Sequence, residues 1–114
     1  MSETAEAIRR ALGRDADQGI ALPDGSFAWS PSQCMQILES LTSTKVAVVS
    51  GEFFRAEPIG LVPAYDGWTC ERGPGELASE YASRSREVAA DQMRMESHSE
   101  LHVVLQFSGQ EDAA

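Results

Sequence analysis

The stretch from Val46 to Phe54 constrains this chain more than any other. Val46-Ala47-Val48-Val49 is apolar without a break, and Phe53 and Phe54 follow after Ser50-Gly51-Glu52. Successive side chains of a strand point to opposite faces, so a continuous apolar run needs cover on both. β-Branched and aromatic residues also favour the extended backbone. The segment is therefore expected to be a central strand, with a neighbour on each edge. At 114 residues the chain has the length of one domain, expected to span 1–114.

Two other segments supply the neighbours. Leu101 to Phe107 alternates, with Leu101, Val103, Leu105 and Phe107 facing one way. Tyr65 to Glu71 reads as a further strand, reached through a link punctuated by Pro58, Gly60 and Pro63 and expected to be longer than a two-residue hairpin. Numbering these strands along the chain, the apolar one belongs in the middle, which gives a three-stranded, mostly antiparallel sheet of order 2-1-3.

The helices carry their own signals. Ser30-Pro31-Ser32-Gln33 offers a capping serine, a proline for the first turn and a glutamine to close a capping box. Cys34, Ile37, Leu38 and Leu41 then recur on one face, and Thr42-Ser43-Thr44 ends the pattern. Glu3 to Leu12 forms an earlier helix, capped by Ser2, with Ala5, Ile8 and Leu12 as its apolar stripe and Gly13 as its stop. Residues Arg14 to Ser26 read as a loop. After Gly73-Pro74-Gly75 a long helix runs from about Glu76 to Glu96, with Leu77, Tyr81, Val88 and Met95 inward and Ala78, Ala82, Ala89 and Met93 beside them. The expected class is α+β, in the order α-α-β-β-α-β with three helices. The core spans roughly 3–108, and the polar residues 109–114 form a tail.

Eighteen acidic residues against nine Lys and Arg give a net charge of −9. Such a field repels phosphate backbones and anionic lipid, which argues against nucleic acid and membrane surfaces as partners. A basic protein suits it better. The N-terminus lacks the basic and apolar regions of a signal peptide, and no apolar run approaches a membrane span, so a cytoplasmic protein with reduced Cys34 and Cys70 is expected.

No catalytic or metal-binding constellation emerges, and no cofactor is expected. Cys34 falls on a core helix face, and Cys70 sits beside Glu71, whose charge disfavours a thiolate. His98 and His102 straddle a helix end and a strand start, which rules out helical metal-ligand spacing. Glu52, Asp66 and Glu71 fall on neighbouring strands, where they either pair with Arg55 and Arg72 or stay unpaired for a partner. Trp68 lies among them, and a tryptophan there serves either the core or an interface. Glu52, Asp66, Trp68 and Glu71 are the candidate partner-binding residues.

The segment Val48-Val49-Ser50-Gly51-Glu52-Phe53-Phe54 and the step Tyr65-Asp66-Gly67-Trp68 carry a family resemblance. Together with the helix Ser30 to Leu41, a later helix with Ser85 and Ala89, and the closing apolar strand, they resemble the immunity protein 40 family of bacterial polymorphic-toxin systems. The likeness runs from about Phe27 to Phe107. Ser50 stands where the family has the first glycine of a Gly-Gly-acidic step, and Asp91-Gln92-Met93 departs from its aromatic-aliphatic pair. The resemblance implies a protein without catalytic residues that neutralises a bacterial toxin domain by binding it. Two other classes remain: an acidic adaptor module for another protein, and a small enzyme using the strand carboxylates or Cys70.

Overall fold

The computed structural model describes residues 3–13, 19–23, 27–42, 44–95 and 101–108, without the side chains of 3–5, Tyr65 and Asp66. The expected Ser2 cap, His98, most of the loop 14–26 and the tail 109–114 lie outside the described residues. The elements are α1 (Glu3–Leu12), β1 (Ile20–Ala21), β2 (Phe27–Ala28), α2 (Pro31–Ser40), β3 (Ala47–Glu57), β4 (Gly60–Thr69), α3 (Ala78–Met95) and β5 (Leu101–Ser108).

The fold is α+β with three helices and antiparallel sheets. In the main sheet β3 lies between β4 and β5, antiparallel to both, so the apolar run is central and the order is the expected 2-1-3. The sequence pattern predicts a single sheet, whereas the described residues form two. Part of the segment read as loop forms a second, two-stranded sheet, with Ile20 opposite Ala28 and Ala21 opposite Phe27. Trp29 joins this ribbon to the main sheet. It exchanges backbone hydrogen bonds of 2.8 and 2.7 Å with Val103, adding a one-residue step beyond β5. Two-residue strands are too short to show a period, which is why the sequence pattern did not mark them.

The hairpin also differs from expectation. β4 starts at Gly60, not near Tyr65, and Glu57 pairs with Gly60, so the link is the two residues Pro58-Ile59. Gly60 takes φ 132°, which side chains rarely adopt. Pro63 suggested a break, yet a strand tolerates proline at a sheet edge, where no partner requires its N–H. The pairing is interrupted once: between Glu52–Gly67 and Phe54–Pro63, residues 64–66 of β4 face only Phe53.

The core lies between the sheet and the helices. Phe53, Val48, Val103 and Leu105 meet Ile37, Leu38, Leu41, Ala89 and Met93, and Ala7 and Leu12 of α1 close the layer. α2 has the expected capping box: the Gln33 N–H donates to Ser30 Oγ at 3.2 Å, and the Ser30 N–H to Gln33 Oε1 at 3.0 Å. Cys34, Ile37, Leu38 and Leu41 are all buried.

On α3 the inward stripe is Tyr81, Ala82, Ser85, Ala89 and Met93, whereas Leu77 and Met95 are exposed. Small residues at 82, 85 and 89 let the helix approach β3 closely. Ser85 exploits that closeness. Where β3 slips by one residue against β5, the Val48 N–H donates to the buried Ser85 Oγ at 2.9 Å, and Ser85 donates to the Ala82 carbonyl at 3.0 Å.

Candidate functional site

The register sorts the sheet's side chains into two sets. Gly51 pairs with Trp68 and Leu105, and Phe53 with Val103. Cross-strand partners share a face, so all five positions lie on the helix-covered side. Ser50 with Thr69 and Gln106, Glu52 with Gly67 and Val104, and Phe54 with His102 lie on the other. Glu52, Gly67, Thr69 and Gln106 of this second set are exposed. A shallow polar depression there is bordered by Ser50, Glu52, Gly67, Thr69 and Gln106, and Gly51 and Trp68 also line it. The apolar part of the set is Val104, buried at 7% exposure, and half-buried Phe54. His102 is half-buried there, with Nδ1 enclosed and without a hydrogen-bond partner.

Among the described side chains, Glu52 carries the charge at the centre of this set. It is exposed and, among the described residues, has no ion pair. The two arginines expected as its pairing cations are otherwise engaged. Arg55 pairs with Glu57 at 3.7 Å, and Arg72 donates to the Glu76 carbonyl at 2.8 Å. Ser50 Oγ bonds Gln106 Oε1 at 3.3 Å beside it.

The other candidates are dispersed. Gly67, not Asp66, stands opposite Glu52; the Asp66 side chain lies outside the described ones. Glu71 is exposed beyond the end of β4, and its carbonyl accepts from Arg84 Nη2 at 2.7 Å. Trp68 is on the opposite face. Its ring covers Gly51 so closely that a Cβ there would lie 2.1 Å from it, and it packs on Phe53 at 5.7 Å between centroids. Its indole Nε1 is enclosed without a partner. Sequence reading had not singled out Gly67, Thr69 and Gln106. The alternation of β5 already put Gln106 on the polar side, but the pairing of Gly67 with Glu52 depends on the irregularity at 64–66.

The cysteines are built into the scaffold. Burial pushes the Cys34 thiol up to about 12. Cys70 is buried, with its Sγ 3.1 Å from Arg84 Nη1. Arg84 also holds Glu76 through two 2.8 Å bonds, and Glu76 Oε1 accepts from the Gly73 N–H. These contacts, the Arg84 side-chain bonds first, hold the Glu76 carboxyl down at about 2. The loop 70–77 is thereby fastened to α3, with Tyr81 OH donating to the Cys70 carbonyl at 2.6 Å. Among the described residues no group of three His, Cys, Asp or Glu is placed to hold a metal ion. No described helix is long and apolar enough to cross a membrane.

Compared with known proteins, residues 17–107 match the family model described as Immunity protein 40. The match covers the second sheet, α2, the main sheet and α3. No curated protein and no solved structure matches the chain significantly.

Proposed function

The chain belongs to the immunity protein 40 family, and from that premise we propose that it neutralises a protein toxin by binding it through the open face of the main sheet. The observation that supports this surface is Glu52: an exposed carboxylate at the middle of a sheet face, with no cation beside it among the described residues. An unneutralised charge in a chain of net −9 attracts a basic surface and accelerates encounter with it. Exposed Glu71 extends the acidic surface, while Trp68 holds this part of β4 in place from the helix side. Binding takes place in the cytoplasm, where such a protein would protect the cell that makes it.

The toxin's activity, titrated with this protein, tests the reading. Stoichiometric inhibition by the wild type, and its loss with Glu52→Lys at unchanged melting midpoint, is the expected result. Full inhibition by Glu52→Lys would move the contact to another surface. Failure of the wild type to bind or inhibit the toxin would refute the reading itself.

A further inference from the structure

The free edge of β4 adds a second feature beside Glu52. The Cys70 N–H donates to the Val49 carbonyl at 2.7 Å. Backbone groups of successive strand residues point alternately to the two sides. Thr69 therefore turns its N–H and C=O away from β3, Trp68 turns toward Gly51, and Gly67 turns away again. Among the described residues β4 has β3 on one side only, and Gly67 and Thr69 are both exposed. Their N–H and C=O groups form an open template for another strand. The edge is blunted elsewhere: Pro63 offers no N–H, and the irregularity at 64–66 separates it from Gly67.

Across the open face one row runs Gly67, Glu52, Val104. Gly67 contributes no side chain to it. A residue on a strand added outside β4 would look across bare glycine to the Glu52 carboxylate, two strands and about 10 Å away. A short side chain cannot close that distance, whereas an extended arginine or lysine meeting the glutamate halfway can.

We propose that the edge Gly67–Thr69 pairs with an extended segment of the partner protein, and that this segment places an arginine or lysine opposite Gly67, ion-paired with Glu52. The inference rests on the preceding reading that the partner is a protein contacting Glu52. Main-chain bonds supply the contact and the cation fixes its register. A second copy of this chain is the poorer occupant, since it brings another net charge of −9 to an already acidic site.

The probe is a pair of synthetic peptides of about ten residues, an ordinary strand length, alternating threonine and valine. One carries a central arginine and the other a central glutamate. Titrated into isotope-labelled protein, the arginine peptide is expected to shift the Gly67 and Thr69 amide resonances and slow their hydrogen exchange. The glutamate peptide should bind at least about tenfold more weakly, as should the arginine peptide to Glu52→Gln. Thr69→Pro, which removes an outward N–H, should abolish the protection. If that variant misfolds, the Glu52→Gln comparison still decides.

Equal affinity for the two peptides, shifts confined to another surface, or no binding at roughly millimolar peptide would overturn the proposal. Concentration-dependent protection of Gly67 and Thr69 without peptide would overturn it in favour of self-association. The peptide result does not depend on the toxin. Edge pairing without toxin binding would refute the preceding reading alone, and toxin binding without edge pairing would refute this one alone.

Discussion

The two faces of the β4-β3-β5 sheet are made from neighbouring residues of the same strands, yet they are built on opposite terms. On the helix side, Phe53 is 1% exposed, Trp68 lies over Gly51, and the slipped Val48 amide is met by the Ser85 hydroxyl. On the other side, one residue along β3, Glu52 is exposed and has no ion pair among the described residues, and Gly67 leaves the row beside it bare. The contrast shows where stability and recognition are expected to reside. Buried apolar area and satisfied amides hold the fold, while a carboxylate left unneutralised remains available to a partner.

Truncation of the two adjacent phenylalanines gives the largest test of that contrast. Phe53→Ala should destabilise the protein by about 3–5 kcal/mol in denaturant unfolding, while Phe54→Ala, from the half-buried open face, should cost roughly 1 kcal/mol. Equal costs would break the distinction between the faces. Next is Ser85→Ala, which strands the buried Val48 N–H and should cost about 1–3 kcal/mol. Gly51→Ala should cost a similar ~1–3 kcal/mol, because a Cβ would overlap the Trp68 ring. Trp68→Ala made together with Gly51→Ala should cost less than the sum of the two single variants, since removing the ring removes the clash.

A smaller effect depends on pH. The Glu76 carboxyl is held at about 2 in the folded protein, against an ordinary 4.5. A depressed folded-state value stabilises the protein above the ordinary value, and that stabilisation is lost as the pH falls toward the folded one. The melting midpoint of the wild type should therefore exceed that of Glu76→Gln at neutral pH, and the difference should close between about pH 4.5 and about pH 2. A constant difference across that window would show that the pairing with Arg84 does not act through its charge.

The helix-side architecture was largely legible in the sequence because it is periodic. The Ser30–Gln33 capping box, the stripe Cys34-Ile37-Leu38-Leu41 and the two-sided run at Val46–Val49 are local signals that the packing respects. Long-range coincidences were not legible. The partnership of Ser85 with Val48 spans 37 residues and depends on a one-residue slip. The opposition of Glu52 and Gly67 depends on how β4 accommodates residues 64–66. The α3 stripe is legible in part: Tyr81, Ala82, Ala89 and Met93 are buried as the pattern expects, whereas Leu77 and Met95 are exposed and the buried Ser85 carries no apolar signal.

The smallest change to the fold should come from Glu52 itself. Glu52→Lys should alter stability by no more than about 0.5 kcal/mol, as an exposed substitution. The decisive measurement is the association rate of this variant and of the wild type with the toxin over a series of ionic strengths. Glu52→Lys should associate more slowly at low salt, with the two rates converging as salt screens the fields. Equal rates at low salt, with both proteins folded, would contradict it.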